Sequence, residues 1–214
     1  VINETNADLV ATITVTPTYT NDGVDCTGPS EEFTITVSPT AQVEQVNDIV
    51  VCNGDEVAEI EFTTTSENDI AYSWSIDTEI GTASLTGVGN IPLFEAENIG
   101  TDPVVATVTV TPSNDETDPS LTCEGSSIEF TITVNPTAQV DPVDSLDLCN
   151  GDTAVVDFTT SNGGVDSVTT NSWEITGGDS VCVGGALSDV GNINLPVINE
   201  TNADLVATIT VTPT

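Results

Sequence analysis

The sequence predicts an all-β fold in which antiparallel β-sandwiches follow one another along the chain as an extended rod. Two observations carry this prediction: short segments in which apolar and polar residues alternate, and a long internal repeat that returns the same segments in the same order. Alternation with a period of two is typical of antiparallel strands that are buried on one face. No segment has the apolar spacing of a helix.

The alternating segments predict which residues face the core. About seven short strands per repeat, separated by turn dipeptides such as Asn53-Gly54 and Gly89-Asn90, favour a β-sandwich. One Trp recurs in the third predicted strand, as Trp74 and Trp173, and we expect both to anchor a core. The other residues predicted to face inward are Ile60, Phe62, Tyr72, Ile76, Ala106, Val108, Val110, Phe130, Ile132 and Val134.

The repeat boundaries lie at two similar proline-containing junctions, VSPTAQV (37–43) and VNPTAQV (134–140). They define a complete middle repeat (41–137), a C-terminal segment (138–214) that lacks its last strand, and an N-terminal segment (1–40) that holds the end of a repeat. The junctions are short, and their prolines restrict the backbone, so we expect stiff joints between neighbours.

The stretch VINETNADLVATITVTPT occupies residues 1–18 and returns unchanged at 197–214, whereas the middle repeat and the C-terminal segment differ widely from each other. This pattern predicts a two-domain block with a period of 196 residues that was duplicated recently. We therefore expect the chain to be part of a longer polymer of such blocks.

The charge excludes several classes of function. The chain has 35 acidic residues and no Lys, Arg or His. Nucleic-acid binding needs cations to neutralise phosphates, so it is not expected. No apolar run approaches the roughly 20 residues that span a bilayer, so membrane insertion is not expected either. Without His or Lys, and with no pair of carboxylates placed in a cleft, the sequence predicts no enzyme and no catalytic residue.

One cysteine lies early and one late in each repeat. Cys52 and Cys149 are equivalent early positions, and Cys26 and Cys123 are equivalent late ones. A recurring pair predicts a disulfide between Cys52 and Cys123, with the partners of Cys26 and Cys149 outside the chain. Closing a loop of about 72 residues would contribute roughly 4 kcal/mol. The alternative is a bond between neighbouring repeats, because the two positions would lie at opposite ends of a simple sandwich. Cys182 has no counterpart; it is interpreted as a free buried thiol, with a cross-link point as the alternative.

Acidic loops precede the late cysteines and suggest Ca²⁺ as a cofactor. Calcium takes several carboxylate and carbonyl oxygens on a flexible loop. The candidate ligands are Asp115, Glu116 and Asp118 in SNDETDPS and Asp22 and Asp25 in YTNDGVD. The alternative is that these loops are plain solvated surface.

The combination of VCNGD (51–55), a YSW-type third strand (72–74), GVGNI (87–91) and a cysteine before EFTITVNPT (129–137) resembles a known family. It is similar to the PKD-like and immunoglobulin-like tandem repeats of giant Bacteroidetes surface proteins, which include gliding-motility adhesins exported by the type IX secretion system. The resemblance implies an extracellular, cell-surface filament. It also implies O-glycosylation at Asp-Ser/Thr-apolar motifs, here at Ser145, Thr153, Ser167 and Ser180.

These observations together favour a structural and adhesive segment of a long extracellular filament. Its expected partners are neighbouring repeats, like chains in a fibre, and a surface or cell ligand. The sequence leaves two alternatives open: a glycan- or protein-binding module, and spacer domains of a large secreted enzyme. Loops rich in exposed aromatics would indicate a binding module, and Tyr19 is the one plausible case.

Overall fold

The computed structural model describes residues 2–3, 5–66, 69–114, 123–165, 167–179 and 183–214. All regular structure in this part of the chain is β, which confirms the all-β part of the predicted fold class. Across the same residues, no helix is long and apolar enough to cross a membrane. The strands are β1 (Leu9–Val15), β2 (Thr18–Asn21), β3 (Val24–Thr27), β4 (Glu31–Val37), β5 (Ile49–Cys52), β6 (Glu56–Val57), β7 (Ile70–Ile76), β8 (Thr86–Val88), β9 (Phe94–Glu95), β10 (Val104–Asn114), β11 (Ile128–Asn135), β12 (Thr153–Val156), β13 (Asn171–Gly178), β14 (Ser188–Val190), β15 (Ile193–Pro196) and β16 (Ala207–Pro213).

The chain divides into two compact units whose limits cross the predicted repeat boundaries. One unit contains Val1–Val51, Asp55–Ala96 and Val105–Thr133, and the other contains Cys52–Gly54, Glu97–Val104 and Val134–Thr214. Each unit therefore includes one junction between predicted repeats together with the loops around it. The repeat limits themselves stay predictions.

The middle repeat has the two layers of a β-sandwich. Its larger sheet has the strand order β5-β11-β10-β7-β8, and β6 pairs with β9 in a smaller sheet. β10 and β7 are antiparallel, with Val110 opposite Trp74. The buried apolar side chains of the middle repeat include Val57, Ile60, Phe62, Trp74, Ile76, Ile80, Ile91, Phe94, Ala106, Val108, Val110, Phe130, Ile132 and Val134.

The predicted strand faces are confirmed in the middle repeat. β10 and β11 alternate buried and half-buried residues along their length, as the period of two predicts. Trp74 is buried against Gly87 of β8, where a Cβ would come within 2.2 Å of the indole ring, so the ring needs a glycine at that position. Tyr72 is half-buried and packs on Phe62 with ring centroids 5.6 Å apart. Partial burial raises the pKa of the Tyr72 hydroxyl.

β5 runs beside β11 in the same direction. The Asp48 carboxylate accepts a 2.7 Å hydrogen bond from Thr131 N–H, and Asn53 N–H donates to Asn135 C=O at 2.9 Å. Residue numbers therefore increase together along both strands, as they do in a parallel pair. The bond from Thr131 N–H lowers the pKa of Asp48, because it stabilises the ionised carboxylate.

The predicted strand EIEFT (59–63) is much shorter than expected. Ile60 and Phe62 are buried and Glu59 and Glu61 are exposed, as predicted, but Ile60 forms only an isolated bridge with Ile91. The Asn90 side chain explains the difference. Its Oδ1 accepts from Phe62 N–H at 3.2 Å, and its Nδ2 donates to the Glu59 carboxylate at 3.0 Å. The Phe62 N–H therefore bonds a side-chain amide instead of the backbone of a neighbouring strand.

The C-terminal segment forms a smaller version of the same arrangement. Its sheets have the orders β14-β13-β16 and β12-β15. Its core is centred on Trp173, Ile193 and Leu195, which are buried as the recurring Trp predicts. Ala154, Val156, Phe158, Ile175, Val183, Ile209 and Val211 pack around them and stay partly exposed.

The N-terminal segment consists of two strand pairs. β1 pairs antiparallel with β4, and β2 pairs with β3. Asp22 and Gly23 join β2 to β3 with φ of 49° and 78°, the left-handed pair that a two-residue type I′ hairpin turn requires. Most residues of β1 and β4 are exposed, although their sequences match the buried strands of the middle repeat.

Ile35 and Ile132 occupy the same place in two strands of nearly identical sequence. Substituting each of them therefore distinguishes the effect of burial on stability from the effect of strand propensity. Ile132 is fully buried in β11, whereas Ile35, at the same place in β4, is 43% exposed. We expect Ile132→Ala to lower the free energy of unfolding by about 2–5 kcal/mol, because it leaves a cavity. Ile35→Ala is the matched control and should cost a small fraction of that. Urea unfolding followed by circular dichroism measures both, and equal losses would contradict the assignment of the core.

Candidate functional site

The four described cysteines are exposed. Cys52 is the last residue of β5, and Cys26 lies in β3 opposite Tyr19. The Cys123 carbonyl accepts a 3.1 Å hydrogen bond from Asn114 N–H at the end of β10. Cys149 N–H donates to the Asp152 carboxylate at 2.8 Å. Cys182 lies outside the described residues.

Cys123 lies in the connection between β10 and β11. Cys52 is followed by Asn53, whose N–H donates to the carbonyl of Asn135, the last residue of β11. The Cys52–Cys123 disulfide and the alternative bond between neighbouring repeats both stay predictions.

The two described calcium candidates have a structural role in a hairpin. Asp22 occupies the left-handed turn position, which Asp tolerates better than most residues. The Asp25 carboxylate accepts a 2.6 Å hydrogen bond from the Thr20 hydroxyl across the β2–β3 ladder. Asp115, Glu116 and Asp118 lie outside the described residues. Among the residues that are described, no three Cys, Asp or Glu side chains come close enough to hold a metal. Calcium binding stays a prediction.

Three of the predicted glycosylation positions are accessible. Ser145, Thr153 and Ser167 are exposed, and Thr153 opens β12. The Ser167 hydroxyl donates to Gly164 C=O at 3.0 Å. Ser180 lies outside the described residues. Exposure is what a glycosylation acceptor needs, and modification at these sites remains a prediction.

The asparagine of VCNGD links three backbone segments, a role that the sequence did not reveal. The Asn53 Nδ2 donates to the Thr137 hydroxyl at 2.9 Å, and Oδ1 accepts from Asn98 N–H at 2.7 Å. Together with its N–H bond to Asn135, these contacts tie the turn after β5 to the exit of the repeat. Asn150, the counterpart in the C-terminal segment, likewise accepts from Asn199 N–H at 2.8 Å.

A second asparagine recurs at equivalent positions and fixes the loop before β10 and the loop before β1. Asn98 is buried, and its Nδ2 donates to Asp102 C=O at 2.9 Å and to Val134 C=O at 2.8 Å. Asn3 repeats the geometry with the carbonyls of Ala7 and Val37, at 2.8 and 2.7 Å. The signal was visible in the sequence, since an Asn stands at the same interval before each copy of VATITVTP or VATVTVTP, the copies that begin at Val10, Val105 and Val206.

The junction between the N-terminal segment and the middle repeat is closely packed. The Asn114 side chain is buried, and its Nδ2 donates to Pro39 C=O at 2.8 Å. Gly125 N–H donates to Pro112 C=O at 2.9 Å. A Cβ on Gly125 would lie 1.8 Å from the Ala41 carbonyl oxygen, so the backbone of the linker occupies the space of a side chain.

The junction between the middle repeat and the C-terminal segment has the same kinds of contact. Asn162 Oδ1 accepts from Gln139 N–H at 2.6 Å, and its Nδ2 donates to Thr137 C=O at 3.1 Å. Gly163 N–H donates to Thr101 C=O at 2.9 Å. A Cβ on Gly163 would lie 2.1 Å from the Asp102 carboxylate.

Both junctions are therefore held by an asparagine amide, a backbone N–H and a glycine that allows close approach. None of these groups is charged, which suits a chain with no basic side chain to balance its carboxylates. We take the two junctions as the candidate functional site, because they determine how one repeat follows the next. No protein-family model matches the chain, and no curated protein matches it either.

Asn98→Ala tests the hydrogen bonds by which the Asn98 side chain holds the loop before β10. The substitution leaves the buried Val134 carbonyl without its donor, and we expect a loss of roughly 1–3 kcal/mol in the free energy of unfolding. Asn199→Ala is the matched control at the equivalent, half-buried position, where water can replace the amide. Urea unfolding of both variants is the measurement. Equal losses would show that burial of Asn98 is not what makes it important.

Gly125→Ala tests the first junction. The new Cβ would collide with the Ala41 carbonyl, so the linker must move, at an expected cost of about 1–3 kcal/mol. Gly28→Ala is the control, because a Cβ on Gly28 would lie 3.1 Å from Pro17 Cγ, as a Cβ on Gly125 would from Pro112 Cγ, but would meet no linker carbonyl. Cleavage at Glu44 by a Glu-specific protease should accelerate in the Gly125 variant alone. Unchanged cleavage in that variant would contradict the proposed packing.

Proposed function

We propose that the chain is a structural and adhesive segment of a long, repetitive extracellular surface filament. In this proposal, immunoglobulin-like (PKD-like) sandwiches follow one another as an extended rod, with the two-domain block of 196 residues as its period. The partners are the neighbouring repeats of the same chain and a surface or cell ligand.

The observation that carries the proposal is the construction of the two junctions. Asn114 and Asn162 each use a side-chain amide to hold the backbone of a linker, at Pro39 and Thr137 respectively. A flexible tether would need no such contacts, and its residues would be solvated. A chain whose joints are specified this closely is suited to transmit position and force from one repeat to the next.

The charge supports a role in which chains stay separate in solution. A net charge of −35 keeps like chains apart by repulsion, and no basic side chain is available to neutralise it. Lateral bundling of such filaments would need divalent cations, which Ca²⁺ could supply outside the cell. The predicted glycans at exposed positions such as Ser145 would add to the solvated surface.

Antibodies raised against this chain test the location and the form of the filament. We expect immunogold labelling of intact cells of the producing organism, along thin fibres that extend from the envelope and without permeabilisation. An antibody against a cytoplasmic protein, which should label only permeabilised cells, is the control. Labelling that requires permeabilisation would overturn the extracellular role, and surface labelling without fibres would overturn the filament.

A further inference from the structure

Asparagine amides hold backbone segments throughout this structure, so their chemical stability bears on the fold. In an Asn-Gly dipeptide, the glycine nitrogen can attack the Cγ carbon of the asparagine, because no glycine side chain hinders the approach. The asparagine then loses its amide as ammonia. The chain has three such dipeptides: Asn53-Gly54, Asn150-Gly151 and Asn162-Gly163.

The reaction needs only water as a co-reactant. The glycine N–H gives its proton to a solvent base, and the nitrogen forms a bond to the asparagine Cγ. The Cγ–Nδ2 bond of the tetrahedral intermediate then breaks, and Nδ2 takes up a proton and leaves as ammonia. A water molecule opens the resulting cyclic imide at either carbonyl, which gives aspartate or isoaspartate. In sum, an amide and a water become a carboxylic acid and ammonia.

The three glycine nitrogens differ in the hydrogen bonds that they make. Gly151 N–H donates to Val197 C=O and Gly163 N–H donates to Thr101 C=O, both at 2.9 Å. Gly54 is exposed, and its N–H donates to no group in the part of the chain that the structure describes. A nitrogen whose N–H already donates must lose that bond before it can attack. The nitrogen of Gly54 has no such bond to lose.

The side-chain carbonyl of Asn53 is polarised for this attack. Its Oδ1 accepts a 2.7 Å hydrogen bond from Asn98 N–H. Negative charge develops on Oδ1 as the glycine nitrogen attacks, and a donor that already points at this oxygen stabilises the charge, as in an oxyanion hole. Gly54 has a φ of 87°, and a Cβ on it would meet nothing within 4 Å, so the turn has space to move.

We propose that Asn53 is a site of spontaneous deamidation in the folded protein, and that the fold protects Asn150 and Asn162 from the same reaction. The modified residue lies in the turn that follows β5. The inference does not depend on the proposed extracellular role, so either can fail without the other.

Asn150 is a control that the chain itself supplies, because its local sequence is the same. Cys-Asn-Gly-Asp occurs at 52–55 and again at 149–152. The Asn150 Oδ1 is polarised as well, since it accepts from Asn199 N–H at 2.8 Å. Asn150 is exposed and Asn53 is half-buried, so accessibility alone predicts that Asn150 reacts faster. The hydrogen bonding of the glycine nitrogens predicts the opposite order.

Asn162 is protected by close packing in addition to the bond of its glycine. Its Nδ2 donates to Thr137 C=O at 3.1 Å, and Gly163 is half-buried. A Cβ on Gly163 would lie 2.1 Å from the Asp102 carboxylate, so the backbone has little room to move toward the side chain. The amide at the second junction is therefore preserved while that of Asn53 is lost with time.

Deamidation changes both the charge and the backbone of the turn after β5. Either product adds a carboxylate next to Asp55 and Glu56, in a chain with no basic side chain to balance it. Aspartate can keep the contact that Asn53 Nδ2 makes with the Thr137 hydroxyl, because a hydroxyl can donate as well as accept. Isoaspartate lengthens the main chain by the side-chain carbon. We therefore expect the turn to loosen as isoaspartate accumulates.

Incubation of the folded chain in mildly alkaline buffer tests the proposal. Samples are digested at mildly acidic pH with a protease that cuts after acidic residues, and tandem mass spectrometry measures the fraction deamidated at each Asn-Gly site. We expect Asn53 to react about tenfold faster than Asn150 or Asn162, because each of these must first lose a backbone hydrogen bond. Equal rates, or a faster reaction at either of the other two sites, would overturn the proposal.

The same incubation in concentrated urea separates the effect of the fold from that of local sequence. Unfolding removes the bonds of Gly151 and Gly163, so the three rates should become similar. If Asn53 kept the same advantage in urea, its local sequence would set the rate, and the proposal would be refuted.

Glutamine variants give a second readout in the intact chain. Asn53→Gln keeps an amide but moves it one methylene further from the backbone, so cyclisation is much slower and the early release of ammonia should disappear. Asn150→Gln is the matched control and should release ammonia as the parent does. Circular dichroism checks that both variants fold, and the site-by-site rates of the parent stand without them. Early release that persists in folded Asn53→Gln would contradict the assignment.

Discussion

The absence of basic side chains is the constraint on which the rest of this structure depends. With no Lys, Arg or His, no side-chain ion pair can form anywhere in the chain. Carboxylates must therefore be stabilised by neutral donors. Asp48 accepts from Thr131 N–H and Asp77 accepts from Thr107 N–H, and these bonds lower the pKa of both residues. Each carboxylate that is fixed in this way also connects two segments.

The same constraint explains the prominence of asparagine. Its amide both donates and accepts, so one neutral side chain can hold two backbone segments. Asn98 fixes a loop to the carbonyl of Val134, and Asn114 holds the linker at Pro39. In a chain with this charge, such contacts do not depend on ionic strength as surface ion pairs would.

The faces of the long strands could be predicted because the period of two depends only on the pleat of the backbone. The alternation in β10 and β11 and the burial of Trp74 follow from that period. The asparagine contacts could not be predicted in the same way. Asn90 replaces strand pairing beside Phe62 through a bond between positions 28 residues apart, which no local pattern encodes. The close approach at Gly125 likewise depends on a linker far away in the sequence.

Burial in this chain is a property of the completed sandwich and not of the strand sequence. β1 and β16 form from the same repeated stretch of sequence, and they differ in exposure because their surroundings differ. A periodic pattern can therefore identify the face that is meant for the core, but whether that face is covered depends on strands supplied by the rest of the repeat.

The direction of β5 has a mechanical consequence. β5 follows the entry of the middle repeat, β11 leads to its exit, and the two run side by side in the same direction. A pull on the two ends of the repeat would slide these strands past each other. The bonds at Asp48 and Asn53 would then bear the load together, whereas a hairpin pulled apart from its open end breaks its bonds one at a time. This shear geometry gives the middle repeat resistance to tension.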